Sequence, residues 1–538
     1  MLKSLSVFFL TLLMFHCSSK DTDYDVVVYG GTPSGVIAAV AAARNGASVV
    51  LIEQTRHVGG LSTSGLNTAE VNHMINQSIT GIARDFYTMM GEHYSTKYFE
   101  SFGYGKKLNF KPGDPAFFFE SHVAEEVFNE MLSEEGIEVV FEAYMEDVSK
   151  SKNQITSIHL DNGRDLSGEI FIDATYEGDL MARSGMHYTY GRESQEKYNE
   201  SYAGIRFVDD TLYGRTVDEN GKLLPYFTKN EGLIPGAADQ RVMNYNFRPT
   251  MTKDPDNFVP VTKPENYDPR QFSLLSDYLS KNPDTRIWDL IGVYRRGNNK
   301  FEFNNKQHST ISLGLFGGNV DYPDADYEKR EEIYQAHKDY TLGYLYFLGH
   351  DQSVPGQLKE DMLSYGFCKD EYQDNNHFPY YLYIREARRL VGDSVFTQHD
   401  ILENRTKEDA VAIGSHWIDS HHVQRVAISD TSFTNEGRIW HKVTEPFELP
   451  YSIILPKNKE CANLLVPVAA STSHVAFCAY RLEPTWMQMG HVAGTAAAMA
   501  IKSGKSLHEI AVPDLQQQLK NEKMILKIKD LGPYDDYE

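Results

Sequence analysis

Cysteine is scarce in this sequence, with four in 538 residues: Cys17, Cys368, Cys461 and Cys478. None of them forms a C-x-x-C pair or another spacing typical of a zinc site or an iron–sulfur cluster. We therefore expect no metal site. A disulfide among the last three cysteines stays open, because spacing alone does not define the geometry that a disulfide requires.

Positive charge and long apolar runs are also lacking. The formal net charge is −23, from 52 Lys and Arg against 75 Asp and Glu. This charge disfavours binding to nucleic acid and to anionic membrane surfaces. No stretch is apolar and long enough to form a transmembrane helix. The membrane contact that we expect is a lipid anchor at the N-terminus.

Residues 1–19 resemble an export signal. Lys3 precedes an apolar run over 5–15, and Cys17 is followed by polar residues. His16 departs from the small residue that lipoprotein signals prefer before the cysteine. Two interpretations stay open: lipidation of Cys17, which then becomes the mature N-terminus, or simple cleavage after Ser19. Both predict an exported protein, located in the periplasm or at the cell surface.

Residues 24–53 have the order strand, glycine-rich turn, helix and strand. Residues 24–29 are mostly β-branched and aromatic, which indicates a buried parallel strand. Gly-Gly-Thr-Pro-Ser-Gly follows, and an Ala-rich helix then runs to Gly46. The second strand ends in Glu53, 18 residues after Gly35. This order predicts a Rossmann-like dinucleotide-binding unit.

Each part of the turn has a physical task. Gly30 permits the tight turn, and Gly35 allows close packing of helix and strand. The bare backbone around Gly31 and Thr32 lets a pyrophosphate approach the helix N-terminus, which favours anions. Glu53 is placed to accept hydrogen bonds from a ribose diol. Thr32 stands where the fingerprint usually has glycine. The cofactor contacts predicted in the turn are Gly30, Gly31, Thr32, Pro33, Ser34 and Gly35.

A further glycine pair lies just beyond the second strand, at Gly59-Gly60. In flavoproteins similar to glutathione reductase, such a pair lets the backbone run under the ribityl-pyrophosphate, and NAD-only Rossmann domains lack it. The pair therefore favours FAD over NAD, and Gln54, Gly59 and Gly60 join the predicted cofactor contacts. The alternative is a generic βαβ unit that binds nothing.

The first part of the FAD-binding domain is expected over residues 22–190, and a helix is predicted over 115–136. A β-meander follows, with strands predicted at 137–141, 144–149, 155–160 and 168–173. It ends in Asp-Ala-Thr, which returns the chain to the cofactor. We therefore expect Ala174, Thr175 and Asp179 near FAD, and Asp179 is interpreted mainly as the N-cap of the next helix.

Residues 191–449 are rich in Tyr, Asn, Asp and Pro and lack a βαβ rhythm, which indicates an inserted α+β substrate domain. The second part of the FAD-binding domain is expected over 450–512, and a C-terminal tail over 513–538. A strand is predicted at 461–467. A long helix opens at Glu483, and small residues such as Gly490 are expected to let the flavin approach it closely.

Several segments together resemble the FAD-dependent oxidoreductase family, whose members are often exported and abundant in bacterial glycan-degradation loci. Some members are labelled xanthan lyases, and the flavin domain is similar to that of the flavin-containing component of heterodisulfide reductase. The segments are residues 28–35, 172–181, 319–323, 337–343, 384–390, 471–477 and 481–484. The resemblance covers nearly the whole mature chain. It implies FAD contacts at Gly30, Gly35, Glu53, Gly60, Ala174 and the start of the last helix.

The fold class expected is therefore α/β: a Rossmann-like FAD/NAD(P)-binding domain of the glutathione-reductase type, with a β-meander and an inserted α+β substrate domain. An iron–sulfur cluster is not implied, because the cysteine ligands are lacking.

Two residues near the last helix are the candidates for catalysis. His474 is placed to act as a base beside the carbon that loses hydride, and packing against the cofactor or capping of the helix is the alternative. Arg481 is placed to bind an anionic substrate group or the flavin O2. A structural salt bridge to Glu483 or another acid is the alternative for Arg481.

Other polar groups are weaker candidates. The charge run at Arg385, Glu386, Arg388 and Arg389 is interpreted as a solvated face. His416, His421 and His422 lack partner acids at helical spacing, which argues against a metal site. A polar pocket is suggested by Asn304, Asn305, His308 and Tyr322.

The function expected is FAD-dependent oxidation of a carbohydrate or related polyol, with hydride transfer to flavin N5. The partners expected are a small-molecule or oligosaccharide substrate and an electron acceptor that the sequence does not identify. Two alternatives stay open. One is a redox-neutral lyase or glycosidase that uses FAD transiently, and the other is a glycan-binding surface lipoprotein.

Overall fold

The computed structural model describes residues 22–68, 70–94, 97–98, 111, 113–307 and 309–534. Cys17 and the predicted signal peptide lie outside these ranges. Within them no helix is long and apolar enough to cross a membrane. Cys368, Cys461 and Cys478 are buried free thiols, so the disulfide left open by the sequence is not formed.

A mixed sheet of seven strands forms the cofactor half of the molecule. Its strands are β1 (Tyr24–Tyr29), β2 (Val49–Ile52), β3 (Glu138–Val140), β4 (Met145–Ser151), β5 (Gln154–Leu160), β6 (Asp165–Asp173) and β22 (Leu464–Leu465). The order is β3-β2-β1-β6-β5-β4, and β22 also pairs with β6. β1, β2, β3, β6 and β22 pair in parallel, whereas β4, β5 and β6 form the antiparallel meander.

The register of the parallel strands brings three chain segments to one edge. Tyr29 at the end of β1 is paired with Ile52 of β2 on one side and with Asp173 of β6 on the other. Gly30, Glu53 and Ala174 therefore follow at the same carboxyl edge of the sheet. In open α/β sheets this edge is where ligands bind.

The helices described are α1 (Pro33–Arg44), α2 (Ile82–His93), α3 (Ser121–Glu134), α4 (Asp179–Arg183), α5 (Gln195–Tyr198), α6 (Ser273–Lys281), α7 (Ile287–Leu290), α8 (Tyr327–His350), α9 (Gly356–Leu363), α10 (Gln398–Leu402), α11 (His474–Tyr480), α12 (Glu483–Ser503) and α13 (Val512–Asn521). The helix predicted over 115–136 is α3, and the long C-terminal helix is α12. The strand predicted at 461–467 is shorter and is β22.

The inserted region contains two larger sheets. One is antiparallel, in the order β11-β14-β10-β13-β12, and consists of β10 (Thr250–Thr252), β11 (Phe258–Val259), β12 (Ile291–Arg295), β13 (Lys300–Asn305) and β14 (Gly366–Cys368). The other is β8 (Leu212–Tyr213), β9 (Phe227–Lys229), β18 (Gln424–Ser429) and β19 (Ser432–Glu436), in the order β8-β19-β18-β9.

Three further strand pairs complete the fold. They are β7 (Tyr188–Thr189) with β15 (Arg389–Leu390), β16 (Ala410–Gly414) with β21 (Phe447–Pro450), and β17 (Ile418–Ser420) with β20 (Ile439–His441). The largest cluster of buried apolar side chains contains Val26 and Val28 of β1 together with Tyr245 and Tyr344 of the insertion. The two regions therefore share one core, and the domain boundaries stay a prediction.

Candidate functional site

The turn after β1 has the geometry of a dinucleotide turn. Gly30 has a φ of +104°, and its N–H donates to the carbonyl of Ile52 at 2.9 Å. A Cβ on Gly35 would lie 1.9 Å from the carbonyl oxygen of Gly30, so only glycine fits there. Thr32 is the N-cap of α1: its Oγ1 accepts from the N–H of Gly35 at 3.3 Å and donates to the carbonyl of Ala174 at 2.7 Å. Thr32, which stands where the fingerprint usually has glycine, thus caps the N-terminus of α1.

Glu53 is buried at the end of β2 and accepts several hydrogen bonds. Its Oε2 accepts from the N–H of Gly31 at 2.8 Å, and its Oε1 accepts from the N–H of Thr55 at 2.7 Å. The hydroxyl of Tyr381, from the insertion, also donates to Oε1. Burial raises the pKa of Glu53, and these donors offset part of that rise. Tyr381 thus takes one of the acceptor positions that the sequence assigned to a ribose diol.

Gly59 and Gly60 bring a second backbone segment to the turn. The N–H of Gly59 donates to the carbonyl of Gly31 at 2.7 Å. A Cβ on Gly60 would lie 2.4 Å from the hydroxyl of Tyr176. That hydroxyl donates to Glu483 Oε1 at 2.7 Å, which joins the Gly59-Gly60 turn to the start of α12. Segments far apart in sequence therefore converge where FAD was predicted.

Unpaired polar atoms lie along the predicted FAD path, which runs from the start of α1 through the turn after Gly60 to the start of α12. Within the described part of the chain, the buried polar atoms there that lack a hydrogen-bond partner are Ser34 Oγ, Ser62 Oγ, Glu483 Oε2, Thr485 Oγ1 and Trp486 Nε1. They lie at the start of α1, in the turn after Gly60 and at the start of α12. Buried polar groups are normally hydrogen-bonded, so these atoms are available to a ligand. The residues present fit a bound FAD.

Glu483 itself is a neutral acid in this environment. Burial raises its pKa to about 8, and the hydrogen bond from Tyr176 offsets only part of this effect. Gln54, by contrast, is engaged by the protein, because its amide donates to the hydroxyl of Tyr29 at 2.8 Å.

The structure corrects the interpretation of Asp179. Gly178 is the N-cap of α4, and Asp179 is its first helical residue. The Asp179 carboxylate is buried and forms ion pairs with Arg330 at 2.8 Å and with Arg388 at 2.9 Å. Asp173 serves the helix instead, because its Oδ2 accepts from the N–H of Met181 at 2.8 Å.

Thr175 is likewise turned toward the protein. Its hydroxyl donates to Asp173 Oδ1 at 2.7 Å and accepts from the N–H of Asp179 at 3.0 Å. The hydroxyl therefore orders the loop after β6.

Gly490 has a different task from the predicted one. A Cβ on Gly490 would lie 2.2 Å from the carbonyl oxygen of Ser34, and a Cβ on Gly494 would lie 2.1 Å from that of Ala38. Both glycines therefore allow α12 to approach α1. The small residues of α12 were expected to admit the flavin, and at these two positions they admit a helix.

A polar pocket of about 370 Å³ lies between the insertion, the segment around Glu70 and His73, and the residues just before α12. It is lined by Glu70, His73, Tyr294, Asn304, Asn305, Lys306, Gln307, Tyr383, His416, Asp419, His421, Arg438, Trp440, Arg481 and Leu482. The β12–β13 hairpin supplies one wall, and the antiparallel pair of β17 and β20 supplies another. Arg481, at the carboxyl end of α11, connects the pocket to Glu483 through Leu482.

Arg481 is the one predicted catalytic residue that lines this pocket. Its Nη1 donates to the hydroxyl of Tyr383 at 3.1 Å, and its Nη2 donates to the carbonyl of Asp419 at 2.9 Å. An ion pair with the Asp419 carboxylate at 3.3 Å fixes the guanidinium. The partner acid is thus Asp419, while Glu483 is bound to Tyr176.

His416 in the same pocket is neutral with a defined tautomer. Its Nδ1 lies 2.7 Å from the carbonyl oxygen of Trp417, which requires a proton on Nδ1 and leaves Nε2 as an acceptor. Burial and the charges of His73 and Arg481 lower the pKa of His416 to about 3. His421 is also neutral, since burial and the charge of Arg385 hold its pKa well below the usual range.

His474 does not line the pocket, and its surroundings contradict a role as base. Its side chain is buried, with Nδ1 2.9 Å from Glu386 Oε2. Burial alone would lower its pKa, but the Glu386 carboxylate raises it to about 10. The imidazole is therefore protonated near neutral pH. The side chain packs against Glu386, Ser473 is the N-cap of α11, and the alternative of packing against the cofactor stays a prediction.

The charge run at 385–389 is buried, so its interpretation as a solvated face is wrong. Arg389 forms ion pairs with Glu193, at 2.7 Å, and with Glu386. Arg388 binds Asp179, and Arg385 is fully buried. Arg388 and Arg389 can be buried because carboxylates neutralise them: Asp179 faces Arg388, and Glu193 and Glu386 face Arg389.

The remaining candidates divide between the pocket and the core. Asn304 and Asn305 line the pocket, whereas Tyr322 donates to Glu177 at 2.9 Å in the core. His308 lies outside the described residues. His422 contacts Asp209.

Glu120, His122 and Glu371 lie close enough together to hold a metal ion, but Lys300 Nζ already lies 2.7 Å from both glutamates.

Several pocket residues were missed from the sequence: Glu70, Tyr294, Tyr383, Asp419 and Trp440. They come from loops and hairpins that are far apart along the chain, and no spacing links them. The signals in the sequence were the tyrosine-rich composition of the insertion and the polar pocket predicted at Asn304 and Asn305.

The sequence profile of the family described as FAD dependent oxidoreductase matches residues 25–519. The chain belongs to the FAD-dependent oxidoreductase family. It is an FAD-dependent oxidoreductase, and FAD is its cofactor. This assignment agrees with the turn after β1 and with the unpaired atoms along the predicted FAD path.

Individual relatives are distant or match only a short segment. A vinyl phenol reductase from Lactiplantibacillus plantarum is 42% identical over 69 residues, which is 12% of this chain and 14% of that protein. A geranylgeranyl bacteriochlorophyll reductase-like protein from Thermoplasma acidophilum has 12% identity and a TM-score of 0.34, over 94% of this chain and 89% of that one. THI4 from Thermovibrio ammonificans has 18% identity and a TM-score of 0.22, over 31% of this chain and 63% of that one.

Proposed function

We propose that this oxidoreductase oxidises a hydroxyl group of a carbohydrate or related polyol bound in the polar pocket. The observation that carries the proposal is that neutral His416 and Arg481 line the same pocket. Arg481 lies two residues before Glu483, which is at the predicted FAD path. Polar amides and exposed aromatic rings, Trp440 and Tyr294, complete a lining suited to sugar rings. An FAD domain of the glutathione-reductase type is part of the same proposal.

The reaction removes one proton and one hydride from the substrate. The hydroxyl proton passes to Nε2 of His416 as the adjacent carbon loses its hydrogen with both electrons and the C–O bond becomes a carbonyl. FAD, when bound, supplies the acceptor for that hydride at N5. An external electron acceptor then takes the two electrons.

Arg481 supports this step by charge. Its guanidinium is held by Tyr383 and Asp419, so it presents a fixed cation to the pocket. A fixed cation stabilises negative charge that develops on the substrate oxygen while the proton leaves. The Tyr383 hydroxyl accepts a hydrogen bond from Arg481 and thereby orients its guanidinium.

Location and anchoring belong to this proposal as well. The N-terminal signal predicts an exported enzyme, held at the membrane by a lipid on Cys17 or released after Ser19. Labelling of cells with a radioactive fatty acid, followed by purification of the wild-type protein and of a Cys17→Ser variant, distinguishes the two. Equal labelling of both proteins would contradict lipidation at Cys17.

The test of the reaction is anaerobic mixing of the FAD-loaded enzyme with mono- and oligosaccharides while flavin absorbance is followed. We expect His416→Asn to keep FAD and to reduce the rate of flavin bleaching. The reduction should be smaller than the roughly 10²–10⁴-fold contribution of a general base whose pKa lies near the operating pH, because the low pKa of His416 makes it a weak base. The pKa of His416 is about 3, so the wild-type rate should not fall from pH 8 to pH 5 through loss of this base.

The matched control is His350→Asn, because His350 is exposed at the end of α8. It should bleach like the wild type. The proposal fails if no polyol bleaches the flavin, or if His416→Asn reacts as fast as the control.

A further inference from the structure

Glu483 is an acid buried at the start of α12 without a cation to neutralise it. The residue is 1% exposed. None of the basic side chains in the described ranges forms an ion pair with it, and Arg481, two residues before it, is held by Asp419. An isolated carboxylate is costly to bury, so the side chain stays protonated. Burial accordingly raises the pKa of Glu483 to about 8.

The hydrogen bonds around Tyr176 determine which oxygen of Glu483 carries the proton. The N–H of Leu61 donates to the Tyr176 hydroxyl at 3.0 Å. The hydroxyl in turn donates its own hydrogen to Glu483 Oε1 at 2.7 Å. Oε1 is therefore the accepting oxygen of the neutral acid, and the acid proton lies on Oε2.

The Oε2–H group of Glu483 lacks an acceptor. Among the described residues Oε2 is a buried polar atom without a hydrogen-bond partner. A buried donor that is left unpaired is costly, so such groups are normally paired by the protein, by water or by a ligand. Thr485 Oγ1 and Trp486 Nε1, in the same turn of α12, also lack partners in that part of the chain. The acid proton of Glu483 is therefore available to a ligand on the predicted FAD path.

We infer that Glu483 binds FAD as a neutral acid, and that its Oε2–H donates a hydrogen bond to an acceptor at the flavin end of the cofactor. Tyr176 positions this donor through Oε1. FAD has acceptors of this kind in the carbonyl groups of its ring and in its ribityl hydroxyls. An ionised Glu483 would have no proton to donate and would leave a buried charge unpaired. The inference concerns the cofactor and holds for any substrate of the polar pocket.

The affinity for FAD should consequently depend on pH. Because Glu483 must be protonated to donate, the affinity is highest below the pKa of the FAD-free protein and falls as the pH rises through about 8. The titratable groups that face Glu483 are Tyr176, after β6, and Tyr87 of α2. Burial raises the pKa of both hydroxyls well above the usual value for tyrosine, so neither of them ionises below pH 9.

The test is serial dilution of the FAD-loaded enzyme at several pH values, with the fluorescence of released FAD as the measure of the Kd. We expect the Kd to rise about tenfold from pH 6.5 to pH 9.0, because about a tenth of the acid stays protonated one pH unit above its pKa. Glu483→Gln keeps a donor and an acceptor in the same place, so it should retain FAD with a Kd that does not change over this range. Glu219→Gln, which removes an exposed acid, should keep the wild-type pH dependence.

Tyr176→Phe is a second variant, which decides the matter if Glu483→Gln does not fold. The Tyr176 hydroxyl lowers the pKa of Glu483, so its removal should move the loss of FAD affinity to higher pH. A loss at the same or a lower pH than in the wild type overturns the inference. So does a wild-type Kd that is constant from pH 6.5 to pH 9.0, a pH dependence that Glu483→Gln retains, or a folded Glu483→Gln protein that holds no FAD.

Discussion

Two histidines of the same chain have opposite protonation states because their neighbours differ. His474 lies against the Glu386 carboxylate, and its pKa rises to about 10. His416 is buried, and its burial together with the charges of His73 and Arg481 lowers its pKa to about 3. Proximity to the last helix favoured His474 as a base. The charged neighbours, which lie far away in sequence, favour His416 instead.

Replacement of His474 tests its structural role. His474→Gln removes one of the two cations that face buried Glu386 and leaves Arg389 in place. We therefore expect a cost smaller than the loss of about 3–5 kcal/mol of unfolding free energy that follows when a buried charge loses its only partner. The folded pKa lies above the usual 6.5, so this stabilisation is fully present below about pH 6.5 and is lost as pH rises through about 10. Denaturant unfolding at pH 6 and pH 9.5 should show the larger deficit at pH 6.

Exposed His350 supplies the matched control, and His350→Gln should unfold like the wild type. A His474→Gln variant that keeps full stability but no longer bleaches its flavin would restore His474 as the base.

At the scale of elements, the contact between α1 and α12 positions the FAD path. α1 presents its N-terminus to the glycine turn, and α12 begins at Glu483. The two helices approach closely because Gly490 and Gly494 face the carbonyl groups of Ser34 and Ala38. We therefore expect their contact to set the distance between the pyrophosphate end and the flavin end of the predicted cofactor path.

Gly490→Ala should weaken both stability and FAD binding. The added Cβ would lie 2.2 Å from a backbone oxygen, so α12 must move away from α1. Overpacking of this kind costs about 1–3 kcal/mol. We expect a lower thermal midpoint and less FAD retained after gel filtration.

Gly356→Ala is the matched control, because a Cβ there meets nothing within 4 Å. If Gly490→Ala retains FAD and melts with the control, the close approach of the two helices is not required.

At the scale of the whole molecule, buried charges connect the cofactor half to the insertion. Lys300 of β13 lies 2.7 Å from Glu120, next to α3, and 2.7 Å from Glu371, after β14. Burial favours the neutral form of Glu371, but Lys300 holds its pKa below the usual range. One lysine thus joins three segments that are distant in sequence.

Lys300→Met should destabilise the whole fold. It leaves buried carboxylates without their cation, at a cost of about 3–5 kcal/mol of unfolding free energy near neutral pH. Because the pKa of Glu371 is lowered in the folded wild type, its stabilisation is present above the usual carboxyl pKa of 4.5 and is lost as the pH falls below that value. The stability difference between variant and wild type should therefore shrink in acid.

Urea unfolding at pH 7 and pH 4 measures this difference. Lys222→Met serves as the control for loss of a lysine, since Lys222 is exposed. A deficit that is equal at both pH values would mean that the lysine stem, rather than its charge, supports the fold.

Local order along the chain was enough to predict the cofactor half. Strand, turn, helix and strand at residues 24–53 depend on nearest neighbours, on glycine where a Cβ cannot fit, and on an acid at a strand end. These features predicted a dinucleotide site, the Gly59-Gly60 pair favoured FAD, and the resemblance over several segments indicated the family before any tertiary contact was known. The structure was needed only to show that Thr32 caps α1.

Tertiary contacts alone decided the polar pocket and the charge states within it. Arg481 was found from sequence because it adjoins the last helix, whereas Tyr383, Asp419 and His416 meet it only after the insertion folds. A charge run such as 385–389 has the same composition on a surface and in a core, and only its partners distinguish the two. Position along the chain determines which backbone can turn or pair. The pKa of a side chain depends on which remote groups surround it, and that is a property of the folded molecule.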